Sequence, residues 1–154
     1  MRRYNREVTD PAEIADIMTR CEVLHLAFND NNVPYLLPVN FGMEPDGMTL
    51  YVHGASEGTK YDLLTKDNRV SFALECTHGL ALENGMCSMN YESVIGWGYL
   101  DELTEPVDKR RALDRIMRQY RGEHFPYRDA AIPHTRILRL RVQARTAKRH
   151  MKVE

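Results

Sequence analysis

The sequence predicts a mainly β fold with helical inserts, built as a closed or nearly closed antiparallel barrel. Short segments of alternating apolar and polar residues recur along the chain, and turn-forming runs such as residues 44–47 separate them. This pattern is typical of antiparallel strands joined by tight turns. Segments with helical periodicity interrupt the strands. About six strands are expected, and closure into a barrel would remove most of the exposed sheet edge.

The turns and glycines define the ends of the expected strands. Residues 29–32 (Asn-Asp-Asn-Asn) are a strong turn signal. The next strand contains Pro34 and Pro38, which lack an N–H donor, so it should lie at an edge or carry a bulge. Three successive strands should form an antiparallel meander. Gly96 and Gly98 indicate a bulge, a barrel corner or a closely approaching ligand. The expected strands cover residues 23–28, 34–43, 48–54, 69–76, 86–103 and 135–143, and residues 77–85 and 124–133 are expected to be loops.

Three segments have the apolar spacing of helices. The first begins after Asp10, which can cap it, with Pro11 at the first helical position. It should end near residue 21. The second is expected over residues 57–66. The third opens at Pro106, and its apolar face repeats at helical spacing. That face consists of Leu113, Ile116, Met117 and Tyr120.

The length and composition are those of an ordinary globular protein. The chain has 154 residues, of which 43% are hydrophobic and 28% charged, with a formal net charge of -1. We therefore expect a single domain over residues 1–154. The balanced charge argues against a nucleic-acid partner. The N-terminus does not resemble a signal peptide, and no apolar run approaches the roughly 18 residues of a membrane span, so a cytoplasmic location without membrane contact is expected.

The cysteines and histidines give no sign of a disulfide framework or a metal site. Cys21, Cys76 and Cys87 are odd in number, widely spaced and without a C-x-x-C pair. This pattern favours reduced thiols in a reducing compartment. The histidines lack metal-ligand spacing, and no pair of a nucleophile and a base stands out.

Arginines are concentrated in the last part of the chain. We interpret them mainly as the solvated face of the final strand. The alternative is that some of them contact a partner or an anionic ligand. They are Arg136, Arg139, Arg141, Arg145 and Arg149.

The loop after the strand at residues 48–54 carries the clearest chemical signal. Ser56, Gly58 and Thr59 offer hydroxyl groups and accessible backbone N–H groups at the start of a helix, and Lys60 adds a full positive charge. A helix N-terminus contributes partial positive charge of its own. This arrangement suits a phosphate monoester. The alternative is that these small residues only cap the helix.

Several short motifs follow one another in a particular order. They are Pro38-Val39-Asn40-Phe41-Gly42, Leu50-Tyr51-Val52-His53-Gly54-Ala55, Gly58-Thr59-Lys60, Leu63-Leu64, Arg69-Val70, Tyr91-Glu92-Ser93-Val94 and Gly96-Trp97-Gly98. As an ordered set they resemble the nitroimidazole-resistance branch of the flavin-binding split-barrel family, which includes pyridoxamine phosphate oxidase. The resemblance extends over nearly the whole chain.

The resemblance implies an antiparallel split β-barrel with FMN at a homodimer interface. The backbone of residues 38–40 would lie along the flavin ring, where an N–H near flavin N5 would help to set its redox behaviour. Family members often have a second basic residue in the phosphate loop, whereas Lys60 follows Thr59 here. Tyr91 and Ser93 would complete the site from the other subunit. The residues expected to contact the cofactor are Pro38, Val39, Asn40, His53, Ala55, Ser56, Thr59, Lys60, Tyr91, Ser93 and Trp97.

Two of these residues have simpler interpretations. His53 would approach the flavin ring or its ribityl chain, but a histidine on a strand that faces a core is commonly a hydrogen-bonded structural residue. Trp97 could form a wall of the ligand pocket or pack in the core.

The resemblance implies an FMN-dependent oxidoreductase that reduces a small aromatic or nitro compound. A bound flavin carries the electrons, so no acid from the protein is required. The alternative is a non-catalytic module that holds a flavin, a deazaflavin or a haem for storage or sensing. The sequence leaves open whether the chain is an enzyme.

Overall fold

The computed structural model describes residues 4–31, 33–83, 85–121, 126 and 128–151. Its helices are α1 (Pro11–Arg20), α2 (Thr59–Lys66) and α3 (Pro106–Arg121), and two short 3₁₀ turns lie at Tyr4–Arg6 and Asp129–Ala131. Its strands are β1 (Glu7–Val8), β2 (Leu24–Phe28), β3 (Tyr35–Val39), β4 (Gly42–Met43), β5 (Thr49–Gly54), β6 (Arg69–Glu83), β7 (Met86–Glu102) and β8 (Arg136–His150).

The strands form one antiparallel sheet in the order β3-β2-β6-β7-β8-β5-β4, and β1 adds to β8. This confirms the predicted antiparallel barrel-type fold with helical inserts. It has eight strands in the described residues, because β1 and β4 are only two residues long and are not visible as separate periodic segments. β3 lies at one end of this order, as Pro38 predicted. Every helix in the described part of the chain is too short or too polar to span a membrane.

The inner side of the curved sheet holds the main hydrophobic core. Alternation places one side chain of every two on that side, and the largest of them, including Phe28, Phe41 and Leu50, are almost fully buried. A second cluster packs α3 against the outer side of β5 and β8 through Tyr51, Ile116 and other residues. The two clusters clamp β5 between the barrel interior and α3.

The first helix is positioned by its cap and its apolar face. Asp10 accepts a hydrogen bond from the N–H of Ala12 at 2.9 Å, and Pro11 occupies the first turn, as expected. Ile17 and Met18 are completely buried, so α1 is held on the core by the 3.6-residue period of its apolar side chains.

Two expectations about the strands are wrong. Residues 34–43 form two short strands, because the pairing with β2 ends at Val39 and the chain then crosses to pair β4 with β5. The meander is therefore a β2–β3 hairpin and a separate β4–β5 hairpin. Residues 77–83, expected in a loop, continue β6 after an irregularity between Cys76 and Gly79, since pairing with β7 overrides the local turn residues.

The ends of other elements also differ from expectation. β8 continues to His150 because its polar residues face outward from a fully paired strand. Gly98 marks a bulge between β7 and β8, one of the roles expected for this glycine. The predicted turn residue Asn32, Asn84 of the predicted loop at 77–85, and residues 124, 125 and 127 of the predicted loop at 124–133 lie outside the described residues.

The C-terminal arginines are not simply a solvated face. Arg139 and Arg141 both pair with Asp101, at 2.8 and 3.0 Å. Arg145 is partly buried beside Met18, and burial lowers the pKa of its guanidinium. The pairing of β8 with β7 places Arg139 directly opposite Asp101 and Arg141 two residues away on the same face, which the periodicity of a single strand does not reveal.

A buried carboxylate ties α1 to the far end of the sheet. Glu92 on β7 accepts hydrogen bonds from Arg20 and, at 2.6 Å, from Arg149 Nε, and Thr77 donates to it at 3.0 Å. The hydrogen bonds from Arg20 hold the pKa of Glu92 at about 2. Arg20 also pairs with Asp16 and Arg149 with Glu13, so three carboxylates surround the two guanidinium groups.

Replacing Gly42 by Ala should lower the free energy of unfolding by about 3 kcal/mol, because the added methyl would overlap the backbone of α3 at Arg115 and Ile116. Gly79→Ala is the matched control, since no atom lies within 4 Å of a Cβ at Gly79. Urea unfolding of the two variants measures the difference. Equal effects would contradict the direct packing of β4 on α3.

Acid should remove the stabilisation supplied by Glu92. Its pKa is lower in the folded chain than its usual value near 4.5, so this stabilisation is complete above about pH 4.5 and disappears toward pH 2. At about 1.36 kcal/mol per pKa unit the loss reaches up to about 3 kcal/mol. Urea unfolding at pH 6 and pH 3 should show a smaller decrease in Glu92→Gln than in the unmodified chain. The exposed Asp16 also pairs with Arg20, and Asp16→Asn should leave the decrease unchanged.

Candidate functional site

The loop between β5 and α2 has the geometry of an anion-binding turn. β5 ends at Gly54 and α2 begins at Thr59. Gly58 caps the helix with a φ of 142° and supplies no side-chain cap. Such a backbone conformation favours glycine. The N–H of Tyr61 donates to the carbonyl oxygen of Gly58 at 3.0 Å. Among the described residues, the N–H groups of Thr59 and Lys60 have no acceptor and are open to an external one, and the exposed Ser56 lies in the same loop.

Lys60 directs a positive charge into this loop. Its ammonium lies 4.5 Å from the centroid of the Tyr61 ring, and a Cβ on Gly54 would fall 2.6 Å from Nζ. Burial, followed by the charge of Arg136, lowers the pKa of Lys60. Within the described ranges no carboxylate lies at ion-pair distance from this ammonium. A bound anion would offset both unfavourable effects.

Arg136 is the second cation at this loop. The sequence placed it among the arginines that could contact an anionic ligand, but not at this loop. Its Nη1 donates to the carbonyl oxygen of Ser56 at 2.9 Å. Its guanidinium lies 3.5 Å from the Tyr61 ring centroid and binds Glu102 through two bonds of 2.8 and 2.6 Å. The pairing of β8 with β5 places it there, and no local pattern could have shown that pairing. Arg136 holds the loop backbone, while Glu102 balances its charge.

Tyr61 joins the two halves of the loop. It is buried, and its hydroxyl donates to the carbonyl oxygen of Ala55 at 2.8 Å. Its ring lies beside both Lys60 and Arg136. Cation–π contacts of this kind are worth about 0.5–2 kcal/mol. The residues from Ala55 to Lys60 are therefore held in place without a ligand.

The predicted ring-binding segment lies close to this loop in the fold. β4 and β5 pair with Gly42 opposite Tyr51, so Asn40 and His53 lie at the same end of that ladder. Pro38 and Asn40 are exposed, while Val39 is half-buried against the core. His53 is exposed, so the interpretation as a core residue is wrong. The structure brings these residues to one end of β5, and their contact with a cofactor stays a prediction.

Tyr91 and Ser93 do not join this group within one chain. Tyr91 pairs with His150, at the opposite end of β8 from Ile137, which pairs with His53. At about 3.3 Å per residue, the strand between these two points is on the order of 40 Å long. Both side chains are partly exposed. They can reach a loop at residues 53–60 only if that loop belongs to another chain.

Trp97 lines an apolar cavity on the outer side of the sheet. The side chain is 42% exposed, so core packing is not its role. The cavity has a volume of about 550 Å³, within the range of small-molecule sites. His25 is part of its wall and pairs across the ladder with Pro38, so the cavity adjoins the predicted ring-binding strand. Its lining includes His25, Ala27, Leu36, Ser71, Ile95 and Trp97.

One histidine of the cavity wall has an acidic neighbour. His25 Nδ1 lies 3.6 Å from a carboxylate oxygen of Glu75. No sequence pattern selects this histidine, because its partner Glu75 is distant in the chain. In the described residues, no group of three His, Cys, Asp or Glu side chains is arranged to hold a metal ion.

Comparison with known proteins identifies the family of the chain. A family profile described as pyridoxamine 5′-phosphate oxidase matches residues 10–149. A search of curated proteins gave no match.

Solved structures share the fold over nearly all of the chain. A candidate 5-nitroimidazole antibiotic resistance protein from Bacteroides thetaiotaomicron is 31% identical, with a TM-score of 0.83 over 92% of this chain and 85% of its own. The flavocytochrome Anf3 from Azotobacter vinelandii is 20% identical, with a TM-score of 0.78 over 99% and 72%. An FAD- and haem-binding protein from Mycobacterium smegmatis is 17% identical, with a TM-score of 0.79 over 96% and 74%. By profile, identity and fold, this chain belongs to the pyridoxamine 5′-phosphate oxidase-like family.

Proposed function

We propose that this protein binds FMN and uses it to reduce a small aromatic or nitro compound in the cytoplasm. The observation that carries the proposal is the Lys60 ammonium, which lies without a carboxylate partner in the described residues beside the open N-terminus of α2. A phosphate monoester supplies the missing negative charge and accepts the N–H bonds. FMN unites such a phosphate with a flat redox ring.

The donors at the loop fit a phosphate. Lys60 offers a full charge, Ser56 and Thr59 offer hydroxyls, and the first turn of α2 offers N–H groups. Arg136 keeps the loop backbone in position through Ser56. Arg136 thus fixes the loop backbone, while Lys60 provides the positive charge for the phosphate. The contribution of Arg136 compensates for the absence of a second basic residue within the loop itself.

The exposed face of residues 38–40 and His53 is where the flavin ring would lie. Bound flavin supplies hydride or single-electron transfer, and the protein binds and orients it. The cavity beside Trp97 and Leu36 suits an apolar ring compound by its volume and lining. His25 and Ser71 provide polar groups in its wall that would orient the substrate.

A homodimer is part of this proposal. Tyr91 and Ser93 lie far from the phosphate loop of their own chain, so a second chain is needed if they complete the site. Light scattering of the flavin-loaded protein at micromolar concentration should give twice the mass of one chain. A single-chain mass would contradict the dimer.

A cofactor-binding module without catalysis is the second candidate. Two of the neighbouring structures carry names that include flavocytochrome, or FAD and haem. Their identity to this chain is low, so they support the fold and only suggest these ligands. The absorption spectrum of the purified protein and the mass of its released cofactor distinguish FMN, FAD, deazaflavin and haem. A spectrum bleached by reductant and restored by a nitroaromatic compound favours the oxidoreductase.

Replacing Lys60 by Ala should weaken FMN binding by roughly 10- to 150-fold, because a charge-assisted bond to phosphate contributes about 1.5–3 kcal/mol. Riboflavin lacks the phosphate, so its affinity should change little. Fluorescence titration of both flavins into the apoprotein measures the difference.

Lys66→Ala is the matched control, since it removes the same charge from the other end of α2. It should leave both affinities unchanged. If Lys60→Ala weakens both flavins equally, or neither, the phosphate site lies elsewhere.

A further inference from the structure

Two of the three cysteines lie side by side, although they are far apart in the chain. Cys21 is the C-cap residue of α1, and Cys76 lies on β6. Both thiols donate to one acceptor, the carbonyl oxygen of Ile17, with sulfur–oxygen distances of 3.3 and 3.8 Å. Burial, followed by the nearby Cys76, raises the pKa of Cys21. The folded chain therefore brings the two sulfurs together without a bond between them.

The two thiols differ in their access to solvent. Cys21 is only 1% exposed, whereas Cys76 is partly exposed. The thiolate is the form that reacts with an oxidant, and the raised pKa keeps Cys21 in the thiol form. An oxidant in solution therefore reaches Cys76 first, while Cys21 is protected from direct attack.

A guanidinium group lies next to the more accessible sulfur. Arg20 Nη1 is 3.8 Å from the Cys76 sulfur, and Glu92 keeps this arginine in place. When a sulfur attacks a peroxide, negative charge develops on the oxygen that leaves. A cationic N–H donor fixed beside the sulfur stabilises that charge.

The backbone after Cys76 is strained. Thr77 has a φ of 57°, in the left-handed region that a β-branched residue rarely adopts. The pairing of β6 with β7 is also irregular between Cys76 and Gly79. The Thr77 hydroxyl donates to Glu92 at 3.0 Å, which holds the strained conformation. Strain of this kind is concentrated at functional sites, so Cys76 lies at a specialised point of its strand.

We propose that Cys76 and Cys21 are a site of reversible oxidation, at which a hydroperoxide joins the two thiols in an intramolecular disulfide. The Cys76 sulfur attacks one peroxide oxygen, the O–O bond breaks, and water or an alcohol leaves, so that Cys76 becomes a sulfenic acid. The Cys21 sulfur then attacks the Cys76 sulfur. The S–O bond breaks, and the hydroxyl leaves with the Cys21 proton as water. The two thiols lose two electrons in total, and the peroxide gains them.

The consequence is a covalent connection between the end of α1 and the sheet. Thiol–disulfide exchange with a dithiol reverses it. Disulfides in reducing compartments are mostly transient bonds of this kind, so the site is compatible with the reduced thiols expected from the sequence. The proposal is independent of the proposed flavin and of the proposed homodimer.

Cys87 is an internal control for this site. It is exposed, and it lies on the same strand as Glu92, the residue that pairs with Cys76. At about 3.3 Å per residue, Cys87 and Glu92 are on the order of 17 Å apart. A disulfide requires about 4.4–6.8 Å between its Cα atoms. The folded chain therefore holds Cys87 out of reach of Cys76.

The first test maps the bond. The purified full-length protein is treated with hydrogen peroxide, its remaining thiols are alkylated, and it is digested without reductant. Mass spectrometry should find a linked pair of peptides that contain Cys21 and Cys76, and dithiothreitol should separate them. In the folded chain this pair should exceed the pair of Cys76 with Cys87 at least about 10-fold. In urea the order should reverse, because the loop between Cys76 and Cys87 is the shorter one.

The second test separates the roles of the two thiols. In Cys21→Ser the sulfenic acid at Cys76 has no neighbouring thiol, so dimedone should trap at least about 10-fold more of it than in the unmodified chain. In Cys76→Ser the buried Cys21 should remain an unlabelled thiol. Cys87→Ser is the matched control, because it removes an exposed thiol and should leave the yield of the disulfide unchanged.

Three results would overturn the proposal. One is a peroxide treatment that oxidises Cys87 and leaves Cys21 and Cys76 as thiols. Another is a folded chain in which all pairs of cysteines become linked to the same extent. The third is equal dimedone labelling of Cys76 with and without Cys21, because Cys21 would then not react with the sulfenic acid.

Discussion

The pairing of β8 with β7 on one side and β5 on the other is the constraint on which the rest of the structure depends. One end of β8 presents Arg136 to the loop after β5, and the other end presents Arg149 to Glu92. The strand therefore positions the candidate phosphate site and anchors α1. The two ends of β8 are connected by a ladder with β7 whose register shifts between Trp97 and Gly98. At this bulge the backbone of Gly98 lies so close to the backbone of Arg141 that there is no room for a Cβ.

The electrostatics of the loop follow from this placement. Two cations beside one aromatic ring repel each other, and this repulsion adds to the effect of burial in lowering the pKa of Lys60. Glu102 neutralises Arg136 through a bidentate pair. The net result is one excess positive charge at a helix N-terminus, which is a favourable environment for an anion. A fully neutralised loop would lack this preference.

The parts of the fold that were predictable from sequence are those specified locally. Asp10 and Pro11 fixed the start of α1, and the apolar spacing after Pro106 fixed α3, because caps and helical period involve neighbouring residues. The loop around Lys60 was predictable for the same reason. The extension of β6 beyond Cys76 was not predictable, because Gly79 and the irregularity before it interrupt the alternation of apolar and polar residues. The place of Arg136 at this loop was not predictable, because its contact with Ser56 depends on long-range strand pairing.

The buried Glu92 determines which side chains of β7 face outward. The carboxylate of Glu92 is held on the inner side, because turning it outward would break its ion pairs with both Arg20 and Arg149. A slip of one residue in β7 would turn Glu92 outward and bury Tyr91 and Ser93 instead. The ion cluster therefore fixes the register in which the uncharged side chains, from Cys87 to Trp97, face outward. The same interaction that holds α1 on the sheet thus determines the surface available to a second chain.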